Sequence, residues 1–136
     1  MRKTKSPKSL WNSTPYGFSQ VAYAESGQCV FISGQVAWDK DQSIVGRNDI
    51  ALQARKCLEN LENAINSVGG NLDNIMMLRI YIVSYKPEHG KIISSLLNKF
   101  FGEENQPAST WINVQGLASD DFLIEIEAQA IIRESI

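Results

Sequence analysis

Residues 121–132 constrain the fold more than any other stretch of this chain. Phe122, Ile124, Ile126, Ala128, Ala130 and Ile132 alternate with Leu123, Glu125, Glu127, Gln129 and Ile131. Side chains of a β-strand point to opposite faces in turn, so the pattern spells a long strand with one wholly apolar face. That face must be covered by apolar groups from elsewhere in the chain. The opposite face sets two carboxylates among large aliphatic groups, a surface poorly suited to bulk water. A layered fold follows, with helices over one side of a sheet and other copies of the chain over the other.

Two segments supply the covering helices. Ile50, Ala54, Cys57, Leu58, Leu61, Ala64, Ile65 and Val68 recur at helical spacing, with Gln53, Arg55, Lys56, Glu59 and Glu62 assigned to the outer face. Asn48 or Asp49 can cap the start of this helix, and Gly69-Gly70 stops it. A second helix opens near Pro87, where a missing N–H costs nothing. Ile92, Ile93, Leu96, Leu97, Phe100 and Phe101 form its apolar stripe, and Gly102 ends it.

The remaining text reads as strands. Residues 18–24 and 28–35 are apolar runs separated by Glu25-Ser26-Gly27, which predicts a hairpin. Ile44-Val45 predicts a short further strand, residues 75–84 an interior strand, and residues 108–114 a strand before the last one. Right-handed crossovers put both helices on one face of a single mixed sheet, giving the α+β class. Residues 1–12, with Arg2, Lys3, Lys5 and Lys8 among Ser and Pro, read as a flexible basic arm, and residues 13–136 as one domain.

Charge and cysteine content exclude several classes. The net charge is −2, and the only basic cluster lies in the arm, which argues against a nucleic-acid-binding surface. No apolar run approaches the roughly 20 residues that cross a bilayer, and no secretory h-region opens the chain. Cys29 and Cys57 form no C-x-x-C pair and read as two buried thiols of a cytoplasmic protein. His89 is the only histidine, so no metal cluster or catalytic triad is expected.

Several short segments occur in a telling order: Pro15-Tyr16, then Val30-Phe31-Ile32-Ser33-Gly34-Gln35, then Gln53-Ala54-Arg55 and Leu58-Glu59-Asn60-Leu61. Val68-Gly69-Gly70, Tyr81-Ile82-Val83, Pro107-Ala108-Ser109-Thr110 and Ile124-Glu125-Ile126-Glu127-Ala128 complete it. In this the chain resembles the Rid/YjgF family of reactive intermediate deaminases, also called L-PSP endoribonuclease-like. The resemblance implies a chorismate-mutase-like fold and a homotrimer whose sheets form a central barrel, with small-molecule clefts between subunits. It implies cofactor-free hydrolysis of enamines and imines to a keto acid and ammonia.

By the same resemblance, Glu125 holds the attacking water as the catalytic residue, Tyr16 lines the entry, and Ser33-Gly34 belongs to the retained site. Backbone groups at Thr110 and Trp111 complete it, and Asn113 shares a strand face with Ser109 and Trp111. Active family members carry an arginine where this chain has Ser109. A guanidinium clamps a carboxylate in two parallel hydrogen bonds, which a serine cannot do. Arg79, on the same face as Met77 and Tyr81, is the one charge that could replace the missing arginine; the structural alternative is a pair across a subunit boundary with Glu125 or Glu127. The functions implied are an imine hydrolase of altered specificity or, alternatively, a non-catalytic small-molecule-binding trimer. RNA cleavage fits the composition least.

Overall fold

The computed structural model describes residues 2–134. Eight elements build it: strands β1 (Lys3–Lys5), β2 (Val21–Tyr23) and β3 (Gln28–Gln35), helix α1 (Ile50–Asn66), β4 (Ile75–Val83), helix α2 (Pro87–Phe101), β5 (Ala108–Val114) and β6 (Ile124–Ile132). The main sheet runs β3-β6-β4-β5, with β6 antiparallel to both neighbours and β5 parallel to β4. Helix α2 is the crossover that a parallel pair requires.

Both helices start where the sequence predicts, and α2 stops at Gly102; α1 ends at Asn66, so Val68, read as part of its apolar stripe, lies beyond the helix and is exposed. The Asp49 carboxylate accepts from the Leu52 N–H at 3.1 Å, satisfying one of the free donors at the start of α1. Pro87 occupies the first turn of α2, and the His89 Nδ1 accepts from the Lys86 N–H at 3.1 Å. The histidine is thus a helix-capping residue.

One core lies between helices and sheet. Ile124, Ile126, Ala128 and Ala130 of β6 meet Leu78, Ile80 and Ile82 of β4, all at most 3% exposed. From above come Leu58, Leu61 and Ile65 of α1 and Ile93 and Leu97 of α2. Each such side chain contributes roughly 1.5–3 kcal/mol by leaving water. The alternation predicted for residues 121–132 is therefore the alternation observed, with Glu125, Glu127, Gln129 and Ile131 on the face away from the helices.

Four expectations are corrected. Residues 18–24 do not form a hairpin with residues 28–35; β2 pairs instead with β1, in a separate two-stranded ribbon. Ile44 makes only an isolated bridge to Trp38. Gln53 is fully buried, because its amide serves three backbone groups: Nε2 donates to Gly46 O and Asp121 O, and Oε1 accepts from Leu123 N at 2.8 Å. A Gln53→Leu variant strands all three, and is expected to lose about 2–4 kcal/mol of unfolding free energy in urea titrations.

The fourth concerns the basic arm. Arg2 is 6% exposed, and its guanidinium donates to three main-chain carbonyls: Asn105 O at 2.6 Å, Leu72 O at 3.0 Å and Ile75 O at 2.7 Å. Burial lowers its pKa, and the charge of Asp73 opposes that shift. The arm is bound because backbone acceptors at the ends of two loops need a donor, and a planar fork reaches all three.

Candidate functional site

Two surfaces on opposite sides of the main sheet carry the residues singled out above. On the side away from the helices, strand register sets Tyr81 opposite Glu125, and Arg79 opposite both Glu127 and Thr110. Strand β3 carries a bulge beside them: Ile32 pairs with Ala128 and Gln35 with Ile126, so Ser33 and Gly34 together oppose Glu127. A Cβ built on Gly34 would lie 1.9 Å from Glu125 Oε2 and 2.7 Å from its carboxyl carbon. Only glycine leaves the Glu125 carboxylate where it stands.

The two glutamates of β6 are in different chemical states of engagement. Glu127 accepts a hydrogen bond from the Tyr81 hydroxyl and faces the Arg79 guanidinium at 3.9 Å, a loose and half-exposed ion pair. That hydrogen bond, followed by burial, raises the Tyr81 pKa and holds its phenol protonated. Glu125 is partly buried, and among the described residues its carboxylate takes no hydrogen bond or ion pair. One carboxylate is structural; the other is free to bind something.

The second surface is a groove on the helix side, beside β5. It measures about 1030 Å³, and its walls include Trp11, Tyr16, Phe18, Ser109 and Trp111 together with one stripe of α2. Ring centroids step along it, from Tyr16 to Trp11 at 5.8 Å, Trp11 to Phe18 at 5.8 Å, and Phe18 to Trp111 at 6.0 Å. Ser109 Oγ accepts from the Trp111 indole N–H at 3.0 Å. Asn113 Oδ1 accepts from the Tyr85 N–H at 2.9 Å, which pins the loop at the groove's mouth.

Within one chain the predicted site therefore divides. Tyr16, Ser109 and Trp111 line the groove, with Asn113 supporting it. Ser33, Gly34, Thr110 and Glu125 belong to the other face. Strand alternation explains the split, since Thr110 sits between Ser109 and Trp111 and must point the opposite way. Trp11, Phe18, Tyr85 and the polar stripe of α2 were not foreseen. The small residues Ser94 and Ser95, set between the apolar positions of α2, were the available signal.

Cys57 is fully buried and Cys29 is exposed, which corrects the reading of both as buried. Cys29 faces away from the core on edge strand β3, opposite Ile131. Burial, reinforced by the negative charge of Glu125, pushes the Cys57 thiol up to about 12. At pH 8.5 its thiolate fraction is on the order of 10⁻³ to 10⁻⁴, so maleimide is expected to leave Cys57 unlabelled in the native state and to label it after unfolding. Peptide mass spectrometry reads this directly. Among the described residues no three His, Cys, Asp or Glu side chains cluster as metal ligands, and no helix is long and apolar enough to cross a membrane.

A family profile described as Endoribonuclease L-PSP matches residues 12–132. A RutC family protein of Pyrococcus horikoshii is 30% identical over 106 residues, spanning 78% of this chain and 81% of that protein. The crystal structure of YyfB from Yersinia pestis, a member of the conserved Rid protein family, superposes with a TM-score of 0.92 at 33% identity, over 96% of this chain and 98% of its own. A putative endoribonuclease of Thermotoga maritima shares the fold, with a TM-score of 0.70 at 24% identity, over 96% of this chain and 94% of its own.

Proposed function

The chain belongs to the Rid/YjgF family, and from that premise we propose that it hydrolyses a carbon–nitrogen double bond in a small molecule held between copies of itself. The observation that carries this reading is the free carboxylate of Glu125, kept clear by Gly34 while the neighbouring Glu127 is engaged by Tyr81 and Arg79. An imine carbon is electrophilic, so its hydrolysis needs a positioned water, a group that takes that water's proton, and a hold on the rest of the substrate. Glu125 supplies the first two. Water adds to the carbon, the nitrogen takes up protons, and the tetrahedral adduct breaks to a carbonyl compound and ammonia.

The hold on the substrate comes from the groove, and a second copy supplies it. In one chain Glu125 and the groove lie on opposite faces of the sheet, so a homotrimer that brings the open sheet face of one subunit to the groove of the next completes a cleft. The same assembly covers Phe31, which is 74% exposed on the open face in the single chain. Maleimide labelling of Cys29, on that face, is then expected to slow as protein concentration rises into the assembling range.

Ser109 alters what the cleft accepts. Its oxygen accepts from the Trp111 indole, and it carries no charge to clamp a carboxylate. That loss also favours a second reading, a trimer that binds a small molecule without turning it over. Release of ammonia and keto acid from a 2-imino acid generated in situ tests both readings. Wild type is expected to turn over a short 2-imino acid slowly, and Ser109→Arg to lower its KM about tenfold or more by restoring the charge-assisted pair. Binding without turnover in both proteins, unchanged by Glu125→Gln, would support the non-catalytic reading instead.

A further inference from the structure

We infer that the groove beside β5 takes a flat aromatic acid, its ring among Trp11, Tyr16 and Trp111 and its carboxylate at Lys91. The inference rests on the reading of the groove as part of the substrate cleft, and it names the substrate class. Three observations carry it. The first is size: about 1030 Å³ lies at the upper end of small-ligand pockets, far more than a short aliphatic acid fills.

The second is the lining. Trp11 is 60% and Tyr16 52% exposed, although both are large and apolar. Their rings meet nearly edge-on, at 82° between planes, and Trp11 meets Phe18 at 81°. The Trp11 and Tyr16 rings both line the groove and keep exposed surface against which one more planar ring can pack. The Ser109 hydroxyl orients the Trp111 indole, and a side chain this short leaves the space above it open.

The third is charge. Lys91 and Lys99 lie two turns apart on the groove side of α2, against a single acid, Glu103, beyond the end of the helix. Among the described residues neither lysine is in an ion pair. Glu103 repels an anion from the far end, whereas Lys91 follows Gly90, where Tyr85 and Trp111 both approach α2: a Cβ built there would meet the Tyr85 hydroxyl first and lie 3.6 Å from the indole ring. An aromatic acid stacked on Trp111 therefore has its anionic group within reach of Lys91. Asn98 adds a donor for a polar substituent, since its Oδ1 is held by Gln106 Nε2 at 2.6 Å and its amide nitrogen remains available.

The test uses the full chain and calorimetric titration with indole-3-acetate, its neutral amide indole-3-acetamide, and acetate. Indole-3-acetate is expected to bind, the amide about tenfold more weakly, and acetate not measurably. Lys91→Ala should bring acid and amide together, and Trp11→Ala, an exposed site that leaves the core intact, should weaken both about tenfold. Equal binding of acid and amide by wild type, or binding indifferent to both substitutions, would overturn the inference. So would a heat signal that depends on protein concentration alone, because a second copy would then be filling the groove. Imine turnover measured in parallel separates the two levels. Intact turnover with no aromatic preference removes only the substrate class; aromatic-acid binding without any turnover removes the hydrolase reading and leaves the binding site.

Discussion

Replacing Arg2 with Met is expected to lower the free energy of unfolding by about 3–5 kcal/mol, a large fraction of what holds a domain of this size together. The guanidinium makes three charge-assisted hydrogen bonds to carbonyls that precede β4 and β5 or lie at their starts. Each is worth roughly 1.5–3 kcal/mol, and the lower sum allows for water reaching the two less buried acceptors. The ribbon that carries Arg2 has little else to hold it. Strands β1 and β2 pair over three residues and are largely exposed, and the Lys3–Glu25 ion pair at 2.5 Å is solvated on both sides. Arg2→Lys keeps the charge without the fork and should recover only part of the loss. Urea midpoints for the two variants check this, and a change below about 1 kcal/mol for Met would mean that the ribbon peels away at no cost.

Glu125→Gln is expected to reduce kcat/KM for imine hydrolysis by about 10²–10⁴ without loss of stability, the usual size of a positioned acid–base group. The amide keeps the shape of the carboxylate but cannot accept the proton of the attacking water. Glu127→Gln makes a sharp control, because that carboxylate already accepts from Tyr81. It should cost stability and leave the chemical step largely in place. Gly34→Ala probes the same carboxylate sterically: the added methyl meets the far end of the Glu125 side chain, so the carboxylate yields and the backbone does not. Its expected signature is a fall in kcat with an unchanged melting temperature, measured by ammonia release and calorimetry. An unaltered rate in both Glu125→Gln and Gly34→Ala would end the case for water activation at this carboxylate.

Elements with a strong period are legible in this chain without coordinates. Helices α1 and α2, interior strand β4 and alternating strand β6 each carry one repeating buried face, and their starts and stops are marked by Asp49, Pro87 and Gly102. Strand β2 lies inside the run read as a strand, but its pairing is not legible, because its partner lies among lysines that carry no apolar alternation, and the decisive contact is one arginine reaching distant carbonyls. Gln53 deceives for a related reason: three backbone partners outweigh the preference of an amide for water. The site was half legible. Glu125 and Ser109 could be marked one by one, yet their separation onto opposite faces follows only from pairing across β4, β5 and β6.

The position of β6 has a consequence in time. It is the last strand of the described chain but an inner strand of the sheet, the sole neighbour of β3 and the link from β3 to β4. During synthesis β3 therefore emerges long before anything can pair with it, and its exposed Phe31 and Cys29 wait in an open edge. Pairs so distant along the chain form late and slowly, after loop closure has been overcome. A released chain truncated before residue 124 would hold both helices and β4 with β5, but no complete sheet, and such a species is prone to misassociate through the unpaired strand. For this topology, completion of residues 124–132 is the event that commits the chain to its native state.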